Sequence, residues 1–186
     1  MDTLFAAMSN SPAISRAFSL SKSHPDAIIR TLASRRHTEF ITLDELHMIM
    51  KVKLYGLWTS HHIKQSIAHN TDDEVRRKTA EAFVAIDTQG ALTPLRSLAS
   101  VDVGVASAIL SWTSPGLWPV IDRRSISTLK KFGVLATQAR ISPSLYVTYV
   151  RIARLLGQQL GWTPQRVDLW LYACDKCDLG PEHFVA

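Results

Sequence analysis

The sequence predicts an all-α protein, and three observations carry that prediction. Capping residues precede several segments, and within these segments apolar residues recur every three to four positions, the spacing that gives a helix one buried face. No two runs of alternating apolar and polar residues are joined by a hairpin turn, as a β-sheet would require. The β-branched stretch Val101–Val105 is interrupted by Gly104 and continues into small residues, so it is interpreted as a turn that enters a helix.

The expected helix starts come from two capping patterns. Thr42–Glu45 and Thr71–Glu74 each place a hydroxyl three residues before a glutamate, the arrangement of a capping box. A Ser/Thr-Pro pair places a cap before a proline at the first helical position, where the missing N–H group costs nothing. This second pattern predicts helix starts at Thr93-Pro94, Ser142-Pro143 and Thr163-Pro164.

Apolar stripes extend the helices behind these starts. A helix over about 72–87 is expected to bury one face, and so are a helix over about 144–160 and a last helix beyond residue 164. In chain order, the residues of the three stripes are Val75, Ala82, Phe83 and Ile86; Leu145, Tyr149, Ile152, Leu156 and Leu160; and Val167, Trp170, Leu171 and Cys174.

Composition indicates a globular chain that forms one domain or two small lobes with a shared core. Of its 186 residues, 46% are hydrophobic and 20% are charged, which excludes a disordered chain. The net charge of +5 permits a nucleic-acid partner without requiring one. Two cysteines cannot form a disulfide framework, so an intracellular location is expected. No apolar run is long enough to span a membrane, and no membrane partner is expected.

Three segments are expected along the chain. Residues 1–22 are Ser-rich and form an N-terminal segment, interpreted as a partly ordered helix or a tail without the features of a secretory signal. Residues 23–180 form the helical domain. Residues 181–186 form a C-terminal tail.

The most informative stretch is Leu92–Gly133. A short helix is expected to end at Leu98 and a tight turn to cover Ser100–Gly104. A small-residue helix then reaches Trp112, and a Pro/Gly loop leads to Asp122 at the head of another helix. This order, with Pro119-Val120-Ile121-Asp122-Arg123-Arg124 in the second turn, resembles the helix-hairpin-helix DNA glycosylase superfamily, the group that contains endonuclease III and the adenine and alkylated-base glycosylases.

The resemblance implies a fold of two merged helical lobes that binds double-stranded DNA, extrudes a modified or damaged base and hydrolyses its N-glycosidic bond. Asp122 would be the catalytic residue, because a carboxylate stabilises the positive charge that develops on the sugar and orients or deprotonates a water nucleophile. The expected DNA-binding residues are Ser100, Val101, Val103 and Gly104 in the hairpin, together with Lys53, Arg123 and Arg124. The expected base pocket contains Tyr55 and Trp58.

Several departures from the family pattern refine this expectation. Ser100 and Asp102 replace the two hairpin glycines, and the Asp102 carboxylate would repel a DNA phosphate. Gly104 stands where members with lyase activity carry a Schiff-base lysine, so a monofunctional enzyme that uses water is expected.

The same comparison predicts neither a cofactor nor a metal. The iron–sulfur members need four cysteines, whereas this chain has only Cys174 and Cys177. Adjacent His61 and His62 cannot face the same way on a helix, and with His69 they match no zinc motif.

Two alternatives stay open at this stage. The fold could be kept without catalysis, as a DNA-binding or protein-interaction module in which Asp122 only caps its helix. Alternatively, the chain could hydrolyse the N-glycosidic bond of a small nucleoside-type substrate. The sequence does not specify a protein partner.

Overall fold

The computed structural model describes residues 1–9, 39–54, 65, 67–114 and 116–184, and all regular secondary structure in these ranges is helical. The prediction of an all-α protein is confirmed for this part of the chain. The helices are α1 Asp2–Ser9, α2 Leu43–Lys53, α3 Asp72–Phe83, α4 Thr88–Arg96, α5 Val103–Thr113, α6 Arg123–Lys131, α7 Pro143–Leu160 and α8 Pro164–Lys176, followed by a 3₁₀ turn at Pro181–His183.

Four of the predicted helix starts are confirmed. Thr42, Thr71, Ser142 and Thr163 are N-caps, and each side-chain oxygen accepts a hydrogen bond from the N–H group three residues later. At α2 the capping box is complete, because the Glu45 carboxylate accepts a hydrogen bond of 2.8 Å from the Thr42 N–H group.

The predicted start at Thr93-Pro94 is wrong. Helix α4 begins at Thr88, and its N-cap Asp87 accepts a 2.7 Å hydrogen bond from the Gly90 N–H group. Pro94 lies in the last turn of this helix, where it removes one intrahelical hydrogen bond and buries its ring. The Asp87 cap and the burial of this face outweigh the preference of proline for a first turn.

The predicted extension of α3 to residue 87 is also wrong. The helix ends at Phe83, and Ile86 is fully exposed instead of facing the core. The physical reason is Asp87, which has the extended backbone of the N-cap of α4. The chain must therefore leave α3 before it reaches this residue.

The last two predicted stripes pack in the core, the α8 stripe completely and the α7 stripe in part. In α7, Tyr149 and Leu156 are fully buried, and in α8 all four stripe residues are fully buried. The Trp170 ring lies 6.3 Å from that of Phe132 and 5.8 Å from that of Phe184, centroid to centroid. These aromatic contacts join α8 to the end of α6 and to the residue after the 3₁₀ turn.

Helix packing places the N-terminal ends of α5 and α6 near each other. Helices α2, α3, α4 and α5 pack on one another, α8 packs against both α6 and α7, and α7 also contacts α4. A single hydrophobic core runs through all of these helices. Within the described ranges, no helix combines the length and the apolar character needed to cross a membrane.

Candidate functional site

A cleft of about 620 Å³ lies between α2 and α5 on one side and α6 and α8 on the other. Its lining residues form two sets, an apolar set (the apolar wall) and a polar and charged set. The apolar lining residues are Val52, Leu54, Trp112, Val120, Ile121, Ile141, Leu169 and Tyr172. The polar and charged lining residues are Lys53, Asp102, Asp122, Arg123, Arg124, Gln165 and Asp168, with Gly104 between them.

The turn that leads to Asp122 is held from three sides. The Ser107 hydroxyl oxygen, buried in α5, accepts a 3.0 Å hydrogen bond from the Ile121 N–H group. Lys53 Nζ in α2 donates to the Ile121 carbonyl at 3.2 Å, and the Tyr146 hydroxyl in α7 donates to the Pro119 carbonyl at 3.0 Å. Because three helices fix this backbone, the position of Asp122 is set by the fold and not by the turn alone.

Asp122 both caps α6 and faces the cleft. It is the N-cap residue, and its Oδ1 accepts a 2.9 Å hydrogen bond from the Ser125 N–H group. The side chain is half-buried and lies in the cleft wall. Asp122 can therefore cap the helix and still be accessible from the cleft. A carboxylate that is partly shielded from water in this way can stabilise positive charge on a bound group.

A second carboxyl group, Asp168, lies in the same wall. It is 5% exposed, and its Oδ1 accepts hydrogen bonds of 2.6 Å from both the Ser125 and the Tyr149 hydroxyls. Burial and, to a smaller extent, the charge of Asp122 raise the pKa of Asp168, the two hydrogen bonds and Lys53 lower it, and the net pKa is about 7. Asp168 therefore titrates near neutral pH.

Sequence reasoning missed Asp168, although a signal was present. The residue directly follows Val167 and lies three before Leu171, so it falls on the apolar stripe of α8. An acid on a buried helix face must find partners, which makes it a candidate for a functional or structural network.

The hairpin between α4 and α5 consists of residues 97–102. Ser100 has φ +62°, a left-handed backbone conformation that favours glycine. The turn is shorter than expected, because α5 begins at Val103 and so already includes Gly104. The side chains of Val101 and Val103 are buried in the core.

Asn70 clamps this hairpin. Its Oδ1 accepts a 2.8 Å hydrogen bond from the Ala99 N–H group, and its Nδ2 donates to the carbonyls of Ala99 at 3.1 Å and Ile67 at 3.2 Å. Asn70 is 4% exposed. One buried amide thus fixes the residue immediately before the left-handed Ser100.

Asp102 occupies the N-terminus of α5 with its own carboxylate. Its Oδ1 accepts a 2.8 Å hydrogen bond from the Val105 N–H group, and the side chain is exposed at the cleft. A Cβ atom on Gly104 would lie 3.3 Å from Asp102 Oδ1 and 3.6 Å from Lys53 Cε. The negative charge expected in the hairpin therefore lies where an anion would approach the helix end.

The cations of α6 are partly neutralised. Arg124 forms an ion pair of 3.2 Å with Asp175 and lies over the Tyr172 ring at 5.7 Å, while Lys131 pairs with Asp178 at 2.8 Å. Arg123 is exposed in the cleft lining. The positive charge available to a ligand at this edge comes mainly from Arg123 and from the exposed part of Arg124.

Of the residues expected to form the site, the structure brings five together in the cleft, namely Lys53, Gly104, Asp122, Arg123 and Arg124. The remaining hairpin residues, Ser100, Val101 and Val103, are not in its lining. The expected base-pocket residues Tyr55 and Trp58 lie outside the described residues, as do His61 and His62.

The apolar wall was not foreseen. Trp112 comes from α5, Ile141 precedes α7, and Leu169 and Tyr172 come from α8. Except for Leu169 and Tyr172, these residues are distant in the sequence and share no motif, so only the fold shows that they line one cleft.

Comparisons with protein families, with curated proteins and with solved structures find no match to this chain. The described lining of this cleft between helices combines the carboxyl groups of Asp102, Asp122 and Asp168 with one lysine, two arginines and an apolar wall.

Proposed function

We propose that this chain is a monofunctional DNA glycosylase of the helix-hairpin-helix superfamily that removes a modified or damaged base from double-stranded DNA by hydrolysis. The observation that carries the proposal is Asp122, which heads α6 and lies in the wall of the cleft. The cleft volume of about 620 Å³ falls within the range of about 300–1,000 Å³ that ligand pockets occupy.

The cleft offers a place for each part of the substrate. An extruded base would lie against the half-buried part of the apolar wall that includes Leu169 and Tyr172, because bases removed from the helix stack bind apolar and aromatic surfaces. The sugar would lie beside Asp122, whose carboxylate stabilises the cation formed as the C1′–N bond breaks. A water molecule then adds to C1′ and gives its proton to that carboxylate.

The DNA backbone would be held at the cleft edge. Arg123 is exposed there, and Lys53 Nζ lies at the Ile121 carbonyl next to Asp122. The order of α4, a hairpin with a left-handed residue, α5 and an Asp-capped α6 supports the resemblance to the superfamily. Phosphates contacted by these cations would position the duplex over the cleft.

The test is a panel of duplexes that each contain one oxidised, alkylated, deaminated or mismatched base. We expect wild type to convert at least one duplex into an abasic product, detected as strand breakage after alkali, and Asp122→Asn to leave it intact. We also expect no strand breakage without alkali and no covalent complex after borohydride reduction. A borohydride-trapped complex would instead assign an amine nucleophile, and Lys53 is the lysine among the described residues that line the cleft.

Asp102 favours a second candidate, the hydrolysis of a small nucleoside-type substrate. Its carboxylate already caps α5, so an uncharged substrate would meet no repulsion there. Incubation with modified nucleosides, followed by chromatography of the released bases, distinguishes this activity from base release on duplexes. Duplex binding without release of any base would support the non-catalytic alternative.

Asp102→Asn is expected to raise duplex affinity about threefold to tenfold, because it removes one negative charge that faces the phosphates. Asparagine caps helices as well as aspartate does, so α5 keeps its N-cap. Fluorescence anisotropy at a fixed salt concentration measures the change. Asp73→Asn, an equal change of charge at an exposed residue outside the cleft lining, is the control and should not alter affinity. Equal affinities for Asp102→Asn and wild type would refute the repulsion.

A further inference from the structure

We infer that Asp168 is a second catalytic carboxyl group of the cleft, which donates a proton to the leaving base while Asp122 faces the sugar. This inference rests on the proposed function and specifies the proton donor of that same site. Three features of the described structure carry it: the link between the two carboxyl groups, the asymmetry of the hydrogen bonds to Asp168, and its place in the cleft wall.

Ser125 connects the carboxyl groups of Asp122 and Asp168 through two hydrogen bonds. Its N–H group donates to Asp122 Oδ1 at 2.9 Å, and its hydroxyl donates to Asp168 Oδ1 at 2.6 Å. The two acids are therefore held on one residue of the first turn of α6, although one heads that helix and the other comes from α8. Two carboxyl groups that share a site do not both ionise freely, and this divides the roles of acid and base between them.

The hydrogen bonds to Asp168 are asymmetric. Both hydroxyl donors, from Ser125 and Tyr149, contact Oδ1. Within the described part of the chain, both hydrogen bonds of this carboxyl group are on Oδ1 and none is on Oδ2, and Asp168 is one of the residues that line the cleft. In the proposed role the proton is therefore carried by Oδ2, while Oδ1 is held in place by two short hydrogen bonds.

Charged and titratable groups face Asp168 from three helices. Burial favours the protonated form of Asp168, and so does Asp122 at the head of α6. The hydrogen bonds from Ser125 of α6 and Tyr149 of α7 and the charge of Lys53 of α2 favour the ionised form. Tyr146 of α7 also lies within electrostatic range, and burial raises its pKa, so it stays neutral. The balance leaves Asp168 with a pKa of about 7, so that it carries a proton in a substantial fraction of molecules at neutral pH.

The proposed step transfers one proton to the base and one electron pair with it. The proton on Asp168 Oδ2 moves to a nitrogen or oxygen of the base as the electrons of the C1′–N bond pass to that base. The resulting sugar cation is stabilised by the Asp122 carboxylate, and water adds to C1′ while its proton goes to Asp122. The products are the free base and an abasic sugar, and exchange of protons with solvent restores both acids.

Single-turnover base release as a function of pH tests the assignment. The wild-type rate is expected to fall as pH rises through about 7, because the donor loses its proton. Asp168→Asn is expected to release base at least 30-fold more slowly, and its rate should no longer fall across this range. Asparagine can still accept both hydroxyl hydrogen bonds through its amide oxygen, so a purely structural role would leave the rate and its pH dependence nearly unchanged.

Tyr149→Phe is the matched second variant. It keeps the carboxyl group but removes one hydrogen bond that favours its ionised form, so the fall in rate should move to higher pH. If Asp168→Asn retains the wild-type rate and pH profile, the proton-donor role is overturned. The same conclusion follows if Tyr149→Phe leaves the profile where it is in wild type.

A measurement that needs no substrate separates this inference from the proposed function. Carboxyl-carbon NMR of wild type should show Asp168 titrating near pH 7, and Asp122→Asn should move that titration to lower pH. If wild type cleaves no duplex, the proposed function fails. If the Asp168 titration does not respond to Asp122→Asn, the coupled pair fails, whatever the result with DNA.

Discussion

Asp122→Asn is expected to slow base release on the order of 10³-fold, because the variant loses the only charge that directly stabilises the sugar cation in the proposed reaction. Stability should change by less than about 0.5 kcal/mol, because asparagine accepts the Ser125 N–H hydrogen bond as an N-cap equally well. Single-turnover kinetics of wild type and Asp122→Asn measure the change in the rate of base release, and urea unfolding of both proteins measures the change in stability.

Further variants separate charge from capping at this residue. Asp122→Ser keeps a capping oxygen but no carboxylate, so it should be as inactive as the asparagine variant and nearly as stable as wild type. Asp87→Asn is the matched control, because Asp87 is the N-cap of α4 and is not in the cleft lining. It should change neither activity nor stability. Wild-type rates for Asp122→Asn would leave Asp122 with capping as its only role.

How far the fold follows from local sequence depends on how many signals agree at each helix. At α7, a Ser-Pro start and a long apolar stripe coincide, and the expected range differs from the observed one by a single residue. At α4, the Thr-Pro pair competes with the Asp87 cap, and the structure shows that Asp87 prevails. Local patterns do not show which of two possible helix starts is used, because the choice depends on burial against helices that are distant in the sequence.

The candidate site likewise contains residues that local sequence predicts and residues that only the packing of distant helices reveals. Asp122 could be predicted at the head of its helix because the cap, the preceding turn and the following helix are contiguous in sequence. The apolar wall could not, because Trp112 of α5 and Tyr172 of α8 are far apart in the sequence and line the same cleft only in the folded chain. Asp168 lies between these cases, since its position on an apolar stripe is visible in the sequence and its partners Ser125 and Tyr149 are not.

Asn70→Ala is expected to lower the free energy of unfolding by about 2–4 kcal/mol, the largest stability effect anticipated for a single polar side chain here. The substitution leaves the Ala99 N–H group without its side-chain acceptor, and it removes the donor to the Ala99 and Ile67 carbonyls. Because Asn70 is buried, water cannot readily replace these partners.

Two comparisons identify the cause of that loss. Asn70→Asp keeps an acceptor for the Ala99 N–H group but turns a carboxylate oxygen toward two carbonyls, so it should be at least as destabilising as alanine. Thr148→Ala removes an exposed hydroxyl that bonds only within α7, and it should cost less than about 0.5 kcal/mol. Urea unfolding measures all three variants, and thermal unfolding of Asn70→Ala should show a midpoint about 5–15 °C lower. A loss for Asn70→Ala no larger than that for Thr148→Ala would mean that the hairpin is held by the buried Val101 and Val103 side chains instead.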